Sequence, residues 1–138
     1  MLLDVESDMS SAVKSGAFSS ACPKAVRRAE EYINSNLSEP IRIEDLVAVS
    51  GVSARSIFDG FTRFRDMTPM RYVKFRRLHK VRELLRDADD TTMVSSVAVE
   101  WGFNHFGRFA KDYAQAFGES PSETLRAAKN GHRVARRN

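Results

Sequence analysis

The stretch WGFNHFGRFAKDYAQAFGESP, residues 101–121, decides the fold, because the chain carries a second version of the same pattern. The other version is SGVSARSIFDGFTRFRDMTP, residues 50–69. In both stretches a glycine follows an apolar run, aromatic residues recur at helical spacing between basic ones, and a Ser/Thr-Pro pair closes the pattern. The repetition predicts two related structural units within one chain.

The composition is that of one small folded domain, or two very small ones, in 138 residues. Hydrophobic residues make up 42% of the chain, which is enough to form a core. The formal net charge is +4, and acidic residues at positions 4, 6 and 8 leave the remainder more basic than this sum. Cys22 is the single cysteine, which excludes an internal disulfide and a thiolate metal cluster. With no apolar run of membrane-spanning length, we expect a cytoplasmic protein.

Helical patterns fill the chain from Pro23 and no strand pattern occurs, so the predicted class is all-α. Pro23 suits the first position of a helix, and the residue before Pro40 avoids helical geometry, so this helix should end at SEP, residues 38–40. Its apolar stripe consists of Val26, Ala29, Ile33 and Leu37. Residues 1–22 are interpreted as a linker, or as the end of an absent N-terminal sensor domain, with an ordinary frayed terminus as the alternative.

The first helix-turn-helix is predicted at about residues 43–65. Gly51 makes the turn and Ser53 caps the second helix. The residues expected to face inward are Ile43, Leu46, Val47, either Val49 or Ser50, Ile57, Phe61 and Phe64.

A long helix, capped by Thr68, is predicted over residues 69–86, and at about 1.5 Å per residue it is roughly 27 Å long. Its expected core residues are Tyr72, Val73, Leu78, Val81, Leu84 and Leu85, with either Phe75 or the stem of Arg76. The second helix-turn-helix is predicted at about residues 94–117, with a first helix over 94–101 and Gly102 in the turn. Asn104 is expected to cap its second helix, and Phe109, Tyr113, Ala116 and Phe117 should cluster inward. A last helix begins at Ser120–Pro121, and residues 132–138 are interpreted as a basic, mobile tail, which gives about seven helices.

On a helical wheel, the second helix of the first unit turns a polar face outward. Arg55 could read guanine, Asp59 could accept from cytosine, and Arg63 suits a phosphate. Ser56 and Phe58 flank this face. Alternatively, Arg55 and Asp59 form an i, i+4 ion pair on a solvated surface.

The corresponding face of the second unit carries Asn104, Gly107, Arg108 and Lys111. Arg108 and Lys111 are candidates for contact with phosphates or bases. Gly107 lowers helix stability, which suggests that the surface there must stay low for close backbone approach. Phe106 is expected to pack in the core, with contact to a thymine methyl group as the alternative.

Two such faces, joined by a helix about as long as one turn of DNA, favour binding to duplex DNA, whose successive major grooves lie roughly 34 Å apart. Part of the basic cluster on the connecting helix is expected near the DNA backbone, although a solvated face is the default interpretation. The cluster consists of Arg71, Lys74, Arg76, Arg77, Lys80 and Arg82.

From Pro23 to Asn130 the chain resembles the AraC/XylS family of transcription regulators. The most specific match is VSSVAVEWGFNHFGRFAKDYAQAFGESPSETL, and IEDLVAVSGVSARSIFDGFTRFRDMTPMRYV is similar to the family's first unit. The resemblance implies seven helices in two helix-turn-helix subdomains within residues 23–131. It also implies binding to promoter DNA and, usually, activation through RNA polymerase. Family members commonly carry an N-terminal effector and dimerisation domain, so the chain is expected to be a fragment or a short standalone member.

By position, the resemblance implies base reading by Arg55, Ser56, Phe58 and Asp59, and by His105, Phe106, Gly107 and Arg108. With Arg63, Asn104 and Lys111 these residues form the predicted DNA-binding set. Four residues depart from the family pattern, and two of them, Phe106 and Gly107, make the second recognition helix less polar than is usual. Lys111 stands where arginine is usual, and Asp66 stands where glycine is usual, so the end of that helix should be strained or altered.

Catalysis is not expected, because His79, His105 and His132 are scattered and no phosphate-cradling loop occurs. We therefore predict no enzymatic activity, no cofactor and no metal. The alternative functions are a helical protein–protein adaptor and a non-specific nucleic-acid binder. An adaptor would show no salt-dependent, sequence-selective binding to duplex DNA, and a non-specific binder would show the salt dependence alone.

Overall fold

The computed structural model describes the backbone of residues 18–137 and the side chains of residues 23–132. Within this part there are seven helices and no strand, which confirms the all-α prediction. They are α1 (Phe18–Ser35), α2 (Ile43–Ser50), α3 (Ala54–Arg65), α4 (Pro69–Arg86), α5 (Val94–Glu100), α6 (Phe106–Phe117) and α7 (Pro121–Arg137). Most of the predicted N-terminal linker, residues 1–17, lies outside the described residues.

The described chain divides into two compact units. Unit 1 consists of residues 18–37 and Ile41–Lys74, and unit 2 consists of Ser38–Pro40 and residues 75–137. Helix α4 belongs to unit 1 through Lys74 and to unit 2 from Phe75. Each unit therefore contains one short helix, a glycine turn and a second helix, as the repeated pattern predicts.

Helix α1 has different ends from those predicted. It begins at Phe18, so Pro23 is its sixth residue, and the missing N–H of this proline removes one backbone hydrogen bond. It ends at Ser35 because the Asn36 N–H bonds to the Ile33 carbonyl at 3.1 Å in a tight turn. Leu37 lies beyond the helix but is still buried, so all four residues of the predicted stripe contribute to the core.

The core of unit 1 forms where α1, α2 and α3 pack on one another. Its buried apolar residues are Ala25, Val26, Ala29, Ile33, Leu37, Leu46, Ile57, Phe61, Tyr72 and Val73. Of the two alternatives in α2, Ser50 is buried and Val49 is exposed. The rings of Phe61 and Tyr72 meet edge to face at 5.4 Å, which joins α3 to the start of α4.

The C-terminal end of α3 is fastened to α1 by a bidentate pair. The Arg65 guanidinium donates to both carboxylate oxygens of Glu30, and this hydrogen bonding raises the pKa of Arg65. The next residue, Asp66, has a left-handed backbone with φ of 59°, which agrees with the expectation of a strained end to this helix. Thr68 Oγ1 accepts from the Arg71 N–H at 3.3 Å, so the predicted cap of α4 is confirmed.

The core of unit 2 is a cluster of seven buried residues: Leu78, Val81, Leu85, Val94, Ala98, Phe109 and Tyr113. Partly buried apolar residues surround it, among them Trp101 and Phe117. The prediction that Ala116 faces inward is wrong. Ala116 is exposed, and Phe117, one turn after Tyr113 and 4.7 Å from its ring, covers the core instead.

Two expectations for α4 are settled by burial. Phe75 is 38% exposed and Arg76 is half-buried, which favours the arginine stem of the two alternatives. Leu84, expected in the core, is half-buried.

Helix α7 starts with a reciprocal cap and extends further than predicted. The Ser120 N–H donates to Glu123 Oε1 at 2.7 Å, and the Glu123 N–H donates to Ser120 Oγ at 3.1 Å. The backbone stays helical through Arg137, so the segment interpreted as a basic, mobile tail is helical up to that residue. Alanine and arginine favour helix, and no proline interrupts them. No helix in the described part of the chain combines the length and apolarity needed to cross a membrane.

Candidate nucleic-acid interface

The first candidate surface is the α3 outer face, which we define as Arg55, Phe58, Asp59 and Arg63 with Ser56 at its edge. The first four are exposed and Ser56 is half-buried. Ser53 Oγ caps α3 by accepting from the Ser56 N–H at 3.1 Å, and the hydroxyls of Ser53 and Ser56 also lie 3.1 Å apart. The predicted Ser53 cap is therefore confirmed.

Within the described part of the chain, the charged side chains of the α3 outer face form no ion pairs with one another. Among the residues whose side chains are described, Arg55 and Asp59 form no ion pair with each other, contrary to the alternative interpretation. The Arg63 guanidinium lies 5.6 Å from the Phe64 ring, a distance at which cation–π attraction holds it along the helix surface. With two arginines and one aspartate, this face carries a net charge of +1.

Counted from the glycine to the cap of the following helix, the turn of unit 2 is one residue longer than that of unit 1. Two residues separate Gly102 from the cap His105, whereas one separates Gly51 from Ser53. Gly102 has φ of +95°, a conformation that side chains rarely adopt, and the Phe103 N–H reaches back to the Ala98 carbonyl at 2.9 Å.

The cap of α6 is His105, and the prediction of Asn104 is wrong. His105 has extended backbone geometry, and its Nδ1 accepts from the Arg108 N–H at 3.2 Å. The longer turn moves the cap position by one residue, so Asn104 remains exposed in the turn. An imidazole that accepts at Nδ1 carries its proton on Nε2, so the exposed ring offers a hydrogen-bond donor outward.

The second candidate surface is the α6 outer face, which we define as residues 104–108 with Lys111. All six residues are exposed. The expectation that Phe106 packs in the core is wrong, because its side chain is 50% exposed while its ring lies 5.8 Å from the Phe109 ring. A Cβ atom at Gly107 would meet only the His105 ring, at 3.7 Å, so this position forms a low, open surface.

Electrostatically, the α6 outer face carries cations only. Arg108 and Lys111 give a net charge of +2 with neutral histidine. They lie in the N-terminal half of α6, where the helix dipole also favours negative ligands. This arrangement suits acceptor-rich ligands such as phosphates and the guanine edge.

Several cations of the basic cluster on α4 contact other parts of the protein, so fewer of them are available to bind DNA than the composition suggests. Arg77 donates to the Glu39 carbonyl at 2.6 Å, and burial lowers its pKa. Lys80 lies over the Trp101 ring at 5.6 Å, and Arg82 lies over the Phe117 ring at 4.5 Å. Arg71 is exposed. A helical wheel of α4 alone could not find these contacts, because their partners lie in other segments.

His79 also packs against neighbouring side chains of the protein. Its ring lies 4.3 Å from Phe75 and 5.0 Å from Phe117, both edge to face. Burial lowers the pKa of His79, and the nearby charges of Arg76 and Arg82 act in the same direction. Across the residues described, no group of three or more metal-ligating side chains comes together.

Comparison with known proteins supports the interpretation of the two units as DNA-binding helix-turn-helix units. A family model described as a helix-turn-helix domain matches residues 46–127. A solved structure of a probable AraC family transcriptional regulator from Rhodopseudomonas palustris CGA009 has a TM-score of 0.73 and 47% sequence identity. The match covers 76% of this chain and 97% of that chain.

Curated relatives show the same similarity over a longer protein. The probable thc operon regulatory protein of Rhodococcus erythropolis is 42% identical over 107 residues, 77% of this chain and 32% of that protein. The XylDLEGF operon transcriptional activator 3 of Pseudomonas putida is 37% identical over 122 residues, 88% of this chain and 37% of that protein. The chain thus spans about a third of the length of these relatives. With its two helix-turn-helix units, the chain belongs to the AraC family of DNA-binding transcriptional regulators.

Proposed function

We propose that the protein binds a specific duplex DNA sequence by placing α3 and α6 in two successive major grooves, and that it activates transcription from the promoter so bound. The observation that carries the proposal is that each of the two units exposes a net positive outer face. Ten of the eleven residues predicted to bind DNA are exposed, and both faces are net positive.

The chemistry of each face fits base and phosphate contacts. Arg55 presents a planar donor fork that suits guanine O6 and N7, and Asp59 presents acceptors that suit cytosine N4. On α6, Arg108 and Lys111 supply cations, and Phe106 supplies an exposed ring for a thymine methyl group. Direct base contacts of this kind confer specificity, whereas phosphate contacts position the protein.

The length of α4 supports two grooves rather than one. The helix has 18 residues and is therefore about 27 Å long. Successive major grooves on one side of B-DNA are roughly 34 Å apart, a similar length. One chain could then contact two half-sites, as dimeric helix-turn-helix proteins do.

Activation is supported by the relatives. Several Pseudomonas putida relatives are named as transcriptional activators of the XylDLEGF operon. We extend this to the chain as activation through contact with RNA polymerase, at a promoter in the cytoplasm. A reporter assay with the selected site placed at different distances upstream of a promoter tests this step.

The binding proposal is tested by selection of duplexes from random-sequence DNA, followed by affinity measurements over a range of salt concentrations. We expect a single motif with two separated half-sites and a steep salt dependence. Salt-dependent binding without a motif would make the protein a non-specific binder. Absence of binding at low ionic strength would favour the adaptor alternative.

Two variants separate base contacts from phosphate contacts. Arg55→Ala should relax the preference at one position of the motif, because a base contact is lost. Lys111→Ala should weaken all duplexes alike and reduce the salt slope by about 0.9. Lys24→Ala, which removes an exposed cation from α1, serves as the matched control and should leave both properties unchanged. Uniform weakening by Arg55→Ala would reassign it to phosphate.

Gly107→Ala tests whether the DNA approaches α6 closely. Alanine favours a helix interior over glycine by at most about 1 kcal/mol, and its Cβ makes only an ordinary contact with His105. We therefore expect a more stable protein that binds the selected duplex more weakly. Increased stability with unchanged affinity would show that the DNA does not approach this surface.

A further inference from the structure

The turns of the two units are held in different ways. In unit 1, Ser50 Oγ accepts from the Val52 N–H at 3.3 Å and lies 3.4 Å from the Val47 carbonyl, so the helix secures its own turn. A Cβ atom on Gly51 would meet no atom of the described chain within 4 Å. The turn of unit 1 is therefore open on its glycine side.

In unit 2 the residue before the glycine is Trp101, whose side chain has no hydroxyl to bond the turn backbone. Its indole N–H is buried and has no hydrogen-bond partner among the described residues. Support comes instead from α4. A Cβ atom on Gly102 would lie 3.1 Å from Nη1 and 3.3 Å from Cζ of Arg77, so the guanidinium fills the space that a side chain at this position would occupy.

The Arg77 guanidinium is itself fixed in place. Its Nη2 donates to the Glu39 carbonyl at 2.6 Å, a short hydrogen bond from a charged donor. One turn further along α4, Lys80 lies over the Trp101 ring. Both cations thus stand at the C-terminal end of α5, where the helix dipole favours positive charge.

We propose that Arg77 is a positioning residue for α6: its guanidinium, packed on Gly102 and bonded to the Glu39 carbonyl, holds the turn from which α6 starts. Arg77 therefore contributes to DNA recognition without touching DNA. The link to recognition rests on the proposed function, whereas the hold on the turn does not. The turn of unit 2 needs this support because it is one residue longer and lacks the serine of unit 1.

The experiment compares Arg77→Met and Arg77→Lys with Arg71→Met in the full chain. Methionine keeps an unbranched stem, lysine keeps the charge without the planar fork, and Arg71 is an exposed cation of the same helix. The readouts are Trp101 fluorescence, amide exchange at Phe103 and Arg108, and affinity and salt slope for the duplex selected by the wild type. Trp101 is the only tryptophan of the chain, so its emission reports on this turn.

We expect both Arg77 variants to shift Trp101 emission to longer wavelength, to accelerate exchange of both amides, and to weaken DNA binding roughly tenfold. The salt slope should stay unchanged because no phosphate contact is lost. Arg71→Met should leave the emission and the exchange rates unchanged.

Unchanged emission and exchange in both Arg77 variants would overturn the proposal. So would a smaller salt slope with an undisturbed turn, which would make Arg77 a phosphate contact, or a loosened turn with undiminished DNA affinity. If the wild type selects no duplex, the proposed function fails, and the emission and exchange data still decide whether Arg77 holds the turn.

Discussion

Units 1 and 2 share a backbone frame but fill it with different side chains. Helices α3 and α6 both have 12 residues, and each is followed by a left-handed residue and a Ser/Thr-Pro pair. Within this frame, the cap Ser53 corresponds to His105, and the left-handed Asp66 corresponds to Gly118. The two second helices and their ends therefore correspond between the units, whereas the side chains at these ends differ.

The cores show the same exchange of chemistry at equivalent positions. Phe61 meets Tyr72 ring to ring in unit 1. In unit 2 the equivalent pair is Tyr113 and Thr124, and the tyrosine hydroxyl donates to the threonine Oγ1 at 2.7 Å. Burial raises the pKa of Tyr113, so this hydroxyl stays protonated and able to donate. At equivalent positions, an aromatic contact therefore joins the two helices in unit 1 and a buried hydrogen bond joins them in unit 2.

The largest expected effect comes from emptying the two cores. Phe61→Ala and Phe109→Ala each remove a ring that is at most 1% exposed, and each should lower the free energy of unfolding by about 3–5 kcal/mol. Urea unfolding followed by circular dichroism and by Trp101 fluorescence measures both, with Trp101 reporting on unit 2. A loss below about 1 kcal/mol in either variant would show that its core collapses around the cavity.

A smaller effect is expected from exchanging the two core solutions. Tyr113→Phe should cost about 1 kcal/mol, because the hydrogen bond to buried Thr124 is lost. Phe61→Tyr should cost about 1–3 kcal/mol, since the added hydroxyl enters a fully buried site beside the Tyr72 ring. Thermal unfolding of both variants tests the comparison. A neutral Phe61→Tyr would mean that unit 1 already offers a partner for the hydroxyl.

Exchanging the left-handed residues should have opposite effects in the two units. Asp66→Gly should stabilise the protein by about 0.5–1 kcal/mol, because glycine adopts a φ of 59° without steric cost. Gly118→Asp should destabilise it by a similar amount, about 0.5–1 kcal/mol, since a Cβ there meets nothing within 4 Å and only the backbone conformation is strained. The melting temperatures of the two variants test this prediction. A shift in the same direction in both variants would contradict it.

The smallest effect is a pH dependence confined to unit 2. The lowered pKa of His79 means that the unfolded chain binds its proton more readily than the folded chain. Its contribution to stability is therefore fully present above the unfolded pKa, about 6.5. It is lost as the pH falls from there through the lower pKa of the folded protein. His79→Phe should reduce the change in melting temperature between pH 7.5 and 5.5. An unchanged pH dependence would exclude His79 as its source.

Much of the fold follows from local patterns in the sequence. Gly51, Ser53 and Thr68 act within one or two turns of their own positions, so their roles could be predicted from neighbours alone. Buried residues at helical spacing, such as Ile57 and Phe61, were predicted for the same reason.

The errors lie where distant contacts decide. Whether Asn104 or His105 caps α6 depends on the length of the turn that follows α5, and a periodic pattern does not encode this length. The exposure of Phe106 and Ala116, against the burial of Phe117, depends on the neighbours that cover each side chain. Arg77 was grouped with surface cations because its partners, Glu39 and Gly102, lie 38 and 25 residues away in the sequence. Base contacts themselves stay predictions, since exposure alone does not assign them.

Hydroxyl-radical footprinting of the selected duplex tests the two-groove account most directly. One bound chain should protect two patches on the same side of the DNA, about 10 base pairs apart from centre to centre. Arg55→Ala and Arg108→Ala should each weaken a different patch. Protection confined to a single groove, or loss of the same patch in both variants, would contradict the account.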